Sequence, residues 1–79
     1  MKILDAIHTN NLSLKVTFLN GNKTVIKNID LHSYLENHPN PHTRKMANQT
    51  LLSDIDIHLD RLSWKGNVLD IDVDTLYKL

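Results

Sequence analysis

A chain of 79 residues gives one domain, residues 1–79, near the lower size limit for a self-sufficient core. It has no cysteine, which excludes disulfides, thiolate zinc sites and a cysteine nucleophile. Net charge is zero, yet residues 1–45 carry six basic against three acidic side chains and residues 46–79 the reverse, an asymmetry too small to mark nucleic-acid binding by itself.

After Met1-Lys2 the apolar stretch is interrupted at Asp5 and His8, so no secretory signal is read there, and no apolar run approaches the roughly 20 residues of a bilayer span. A cytoplasmic location is expected, and the sequons at Asn11, Asn22 and Asn48 then count as chance matches.

Lys2 to Thr9 reads as a first strand, with Ile3, Asp5 and Ile7 on one face and Leu4 and Ala6 on the other, broken by Asn10-Asn11. Leu12, Leu14, Val16 and Phe18 then alternate with Ser13, Lys15 and Thr17, the period of a strand with one buried face. Asn20-Gly21 predicts a type I′ hairpin turn, because both residues tolerate positive φ. The return strand, Lys23 to Ile29, places Val25 and Ile29 on one face and Ile26 on the other.

Asp30 is the expected N-cap of a short helix with Leu31, Tyr34 and Leu35 as its apolar stripe. The run His38-Pro39-Asn40-Pro41 ends it. A second helix is expected with Asn40 as cap and Pro41 at the first position, or with Thr43 as cap, turning Met46, Ala47, Thr50 and Leu51 to the core.

From Asp54 alternation returns. Ile55, Ile57 and Leu59 oppose Asp54, Asp56, His58 and Asp60, and Leu62 and Trp64 oppose Arg61, Ser63 and Lys65. Lys65-Gly66-Asn67 reads as a turn, Val68, Leu69, Ile71 and Val73 as a last strand, and Asp74 as the cap of a closing turn over Thr75-Leu76-Tyr77. Strands, then helices, then strands predict an α+β fold: a small antiparallel sheet of an N-terminal hairpin meander and C-terminal short strands, with one or two short helices on one face.

The chemistry-bearing patterns are weak. His38 and His42 have the spacing of a helical metal pair, but Pro39 and Pro41 break the helix and no HExxH occurs. Asp70, Asp72 and Asp74 begin like a calcium loop, but Thr75 stands where the sharp turn needs glycine. Both glycines are isolated, so no phosphate-cradling loop forms, and His32-Ser33 lacks a nucleophile elbow. No catalytic residue, metal or cofactor is therefore expected, and a metal-assisted enzyme built on histidines and aspartates ranks last. Lys15, Lys23 and Lys27 on the first hairpin form the alternative, a nucleic-acid contact, although no aromatic residues interleave them. Phe18, Tyr34 and Trp64 fit core positions, and Trp64 is also a candidate interface anchor beside a turn.

The segment Leu62-Ser-Trp-Lys-Gly-Asn67 followed by Asp70-Ile-Asp-Val-Asp-Thr-Leu-Tyr77 resembles the closing signature of the family called domain of unknown function 2442. Leu14-Lys-Val-Thr-Phe-Leu-Asn-Gly21 is similar to that family's first hairpin, and Asp30-Leu31 with Tyr34-Leu35 to its helix. Val73 departs from the proline usual there, and the stretch from Pro39 to Ala47 is longer than the usual connection. The resemblance implies a small bacterial or phage α+β domain, in many cases encoded beside another small protein in the manner of toxin–antitoxin pairs. It thus implies an interaction module, antitoxin-like or an inhibitor of a larger complex. The expected partner-binding residues are Trp64, Lys65, Asn67, Asp70 and Asp72. A homodimer through a sheet edge fits the same small core.

Overall fold

The computed structural model describes residues 1–10, 12–48, 54–67 and 69–79. The expected core positions Thr50 and Leu51, and Val68 of the last strand, lie outside the described residues. The elements in chain order are β1 (Lys2–His8), β2 (Ser13–Asn20), β3 (Lys23–Asp30), α1 (His32–Glu36), α2 (Pro41–Lys45), β4 (Asp56–Ile57), β5 (Arg61–Trp64), β6 (Leu69–Asp72) and α3 (Val73–Lys78). The fold is α+β, as its strand–helix–strand order predicts.

The strands form two antiparallel three-stranded sheets, β1-β2-β3 and β4-β5-β6, where one sheet was expected. The reason lies in β1. Its register with β2 passes from Ile3 opposite Phe18 to Asp5 opposite Thr17, so Leu4 is a bulged extra residue. A bulge bends the strand and disrupts the regular row of edge groups that a continuous ladder needs. One backbone bond joins the sheets at this point, from Ile3 N–H to the Leu59 carbonyl at 2.8 Å.

The bulge also resets the faces of β1. Ile3 and Ala6 are buried while Asp5 and Ile7 are exposed, so the expected shared face of Ile3, Asp5 and Ile7 does not form. Period-two reading assumes an unbroken pleat, and one inserted residue inverts everything after it. β2 needs no such correction. Leu14, Val16 and Phe18 are fully buried, and β2 pairs with β3 along its whole length.

The hairpin turn lies one residue later than expected. Asn20 and Lys23 pair, leaving Gly21 and Asn22 as the central residues, with Gly21 at φ +64°. Positive φ at the first central position is the mark of a primed turn, whose twist matches the flanking strands.

The helix caps shift too. Leu31, not Asp30, holds the N-cap position of α1, although the Asp30 carboxylate still accepts the His32 amide at 2.9 Å. Leu31 is drawn into the core with Leu35, and this sets the chain direction one residue later. Asn40 caps α2 as expected, its side chain accepting from the His42 amide at 2.9 Å with Pro41 at the first turn. Thr43 is buried rather than capping. Asp72, not Asp74, caps α3, because β6 stays extended through residue 72.

A single buried cluster joins the inner faces of both sheets with Leu31, Leu35 and Leu76 from the helical segments. Its largest member, Trp64, is fully buried. Its indole N–H donates to His8 Nε2 at 3.2 Å and so ties β5 to the end of β1. Tyr77 of α3 stands edge-on to Phe18, at a 5.1 Å centroid separation.

Candidate functional site

The short strands β4, β5 and β6 expose a polar face. Cross-strand pairing places Asp56, Ser63 and Asp70 in one row, with Arg61 and Asp72 in the next. Alternation turns Leu62, Trp64, Leu69 and Ile71 inward at the same time. At the end of this sheet lies a recess of about 430 Å³, walled by His58, Arg61, Ser63, Lys65 and Asp70 and bordered by Trp64 and Leu69, whose side chains are buried.

The charges around the recess are paired. Arg61 Nε lies 3.4 Å from Asp70, Arg61 Nη1 lies 3.1 Å from Asp60, and Lys65 Nζ lies 3.9 Å from Asp56. The pairs are solvent-exposed, so each contributes little to stability, about 0–1 kcal/mol. They leave a surface of alternating sign that can exchange its partners for those of another molecule.

His58 Nε2 lies 3.3 Å from Ser63 Oγ. A nucleophile–base pair also needs a group that orients the imidazole, and no carboxylate bonds the other nitrogen of His58 among the described residues. Ser63 sits inside a regular strand, not on a strained turn. Among the described residues no group of three or more histidine, aspartate or glutamate side chains is placed to hold a metal ion.

Asp72 serves a different end. Its carboxylate accepts from the Thr75 hydroxyl at 2.6 Å and the Thr75 amide at 3.3 Å, and these bonds hold its pKa below the usual carboxylate range. Nearby, burial raises the Tyr34 phenol above its ordinary value, and the Asp72 charge adds to the effect.

The expected partner-binding residues thus divide. Trp64, Lys65 and Asp70 meet at the recess, while Asp72 turns to the helix cap. Asn67 lies in the short 3-10 helix after β5, and its side chain is outside the described residues. Trp64 is core and presents no free surface as an anchor. His58, Arg61 and Ser63 were not singled out from the sequence. Their signal was the polar side of the alternation, which shows which side chains point out but not which ones a register brings together.

The three lysines of the first hairpin do not form one patch. Lys15 pairs with Asn28 on the outer face of the sheet, whereas Lys27 pairs with Val16 on the inner face. Lys27 Nζ donates to the Tyr77 and Leu79 main-chain oxygens and lies 4.9 Å from the Tyr77 ring centre. Lys23 sits at the hairpin end.

The bond from Ile3 to Leu59 makes a seam between the sheets. Large apolar side chains on the two segments it joins are exposed, Met1 by 45%, Leu4 by 48%, Ile57 by 42% and Leu59 by 60%.

Compared with family models, with curated proteins and with solved structures, the chain matches none. Among the described residues no helix is long and apolar enough to cross a membrane.

Proposed function

We propose that this chain is a protein-interaction module whose contact surface is the seam between the sheets together with the recess. The observation that supports it is the exposure of Met1, Leu4, Ile57 and Leu59 on the two segments joined at the seam, in a chain whose C-terminal sheet carries exposed charges of both signs. Apolar side chains rimmed by polar ones are the anatomy of a protein contact, where apolar anchors supply affinity and the charged rim supplies orientation. The partner this suits is a protein with an apolar pocket and a mixed-charge border. On the resemblance to the family of domain 2442, the module is the antitoxin-like member of a two-gene pair or a small inhibitor of a larger complex.

The test is affinity capture from the source cells, followed by binding of the purified partner to the chain and to two variants. Leu59→Asp is expected to weaken binding at least about tenfold, the effect of losing a hot-spot side chain, and Lys65→Glu to slow association in a salt-dependent way. A chain recovered without any protein, or a partner held equally by both variants, contradicts the proposal.

A further inference from the structure

The two edges of the N-terminal sheet differ. β1 is bulged at Leu4 and gives its Ile3 amide to Leu59. β3 runs eight residues in unbroken register with β2 and contains no proline, and among the described residues no strand lies against its other side. Edges left open to water are ordinarily blunted by bulges, prolines or outward charges. β3 has neither bulge nor proline, and although Lys23, Lys27 and Asp30 carry charge, the stretch from Thr24 to Ile26 carries none, which leaves the edge open to an occupant.

The hairpin dictates what this edge offers. Asn20 and Lys23 close a two-residue turn as a hydrogen-bonded pair, and the pattern alternates from there. Lys23, Val25, Lys27 and Ile29 therefore direct their amides and carbonyls to β2, and Thr24, Ile26 and Asn28 direct theirs to the open edge. The side chains of these last three are exposed and uncharged.

We propose that β3 is a homodimer interface, in which β3 of a second copy pairs antiparallel about Ile26. Two identical strands related by a two-fold axis keep their inner faces on one side only if even positions meet even and odd meet odd. That leaves few central registers. Centring on Val25 sets Lys23 opposite Lys27, and centring on Lys27 sets the two copies of that residue opposite each other. Like charges directly opposite are destabilising. Centring on Ile26 pairs Ile26 with its copy and Thr24 with Asn28, and sets each lysine opposite an apolar residue, Lys23 against Ile29 and Lys27 against Val25. The three edge-facing pairs then exchange about six backbone hydrogen bonds, two for each pair. Ile26, 57% exposed in the single chain, is covered by its copy. The Lys27 amine is already directed to the Tyr77 and Leu79 oxygens. The strand is self-complementary, and this selects a second copy over an unrelated peptide. The seam and recess lie on other elements, so this interface and the proposed partner surface stand or fall separately.

Sedimentation equilibrium over a concentration series tests the proposal, on the full chain, on Ile26→Lys and on Ile26→Glu, with circular dichroism to check that each is folded. The unaltered chain is expected to reach the mass of two copies. Each variant alone is expected to stay at one copy, and their mixture to recover two, because lysine then faces glutamate. An unaltered chain that stays at one copy overturns the proposal, as do variants that dimerise like it. A mixture that stays at one copy overturns the Ile26-centred register. Amide exchange of Thr24, Ile26 and Asn28 in the unaltered chain needs no variant to fold. It is expected to slow as concentration rises, and rates that do not change overturn the proposal.

Discussion

The two sheets use the same alternation to different ends. In the N-terminal sheet the strands run seven or eight residues, and the central strand buries Leu14, Val16 and Phe18 completely. In the C-terminal sheet they run two to four residues and turn Asp56, Arg61, Ser63 and Asp70 to solvent around a recess. Long paired strands with a continuous apolar side hold the fold. Short strands on the same core can be given over to polar outward residues at little cost, because exposed polar substitutions change stability by only about 0.5 kcal/mol in either direction. The difference separates a sheet of long paired strands from one of short strands whose outward side is polar.

The largest expected effect is where the two regions meet. Trp64→Ala removes the largest buried side chain and its bond to His8, and is expected to cost about 3–5 kcal/mol in chemical denaturation. In a domain this small, that is enough to unfold much of the population. Trp64→Phe keeps most of the packing but leaves His8 without its donor, and a loss of about 1–3 kcal/mol is expected. If both variants melt like the unaltered chain, the sheets are not joined through this residue.

Gly21→Ala tests the N-terminal region alone. No atom would crowd the added Cβ, so the cost is the positive φ itself, about 1–2 kcal/mol. A neutral result in thermal melting would mean that the hairpin turn is not primed.

Asp72→Ala tests the C-terminal cap through its pH dependence. The folded pKa of Asp72 is depressed by the Thr75 hydroxyl and amide, so its stabilisation is present above the unfolded pKa and is lost as pH falls through the folded one. The variant is therefore expected to be less stable than the unaltered chain at neutral pH, with the gap closing as pH falls into the acid range. A gap that is independent of pH would place the effect in helix propensity instead of the cap.

The smallest expected effect on stability comes from Leu59→Asp, within about 0.5 kcal/mol, because the side chain is largely exposed. If that substitution unfolds the chain, the seam belongs to the core and the contrast between the regions fails.

The strands and the first hairpin were legible because β2 has an unbroken period of two and its turn contains a glycine. The Asn40–Pro41 helix start was legible for a similar reason, a cap side chain followed by a residue that needs no amide partner. The cap of α1 was misplaced by one position because β3 runs through Asp30, and that of α3 by two because Asp72 and Asp74 are chemically alike. What decides among them is where the preceding strand stops being extended. Lys65 and Asp70 were singled out for the site, but Arg61, Ser63 and His58 were not, since their meeting depends on the pairing of β5 with β6.

From its sequence alone the chain was determined to be α+β, with a fully apolar side to β2 and no cysteine chemistry. These are properties of local pattern and composition, and they need no knowledge of what lies across the core. Only the tertiary structure decided that Leu4 is bulged, that the strands divide into two sheets, that Lys27 turns to the C-terminal helix, and that apolar side chains are exposed where β1 meets Leu59. Each of these depends on a register or a contact between segments far apart in sequence, and periodicity carries no information about such contacts.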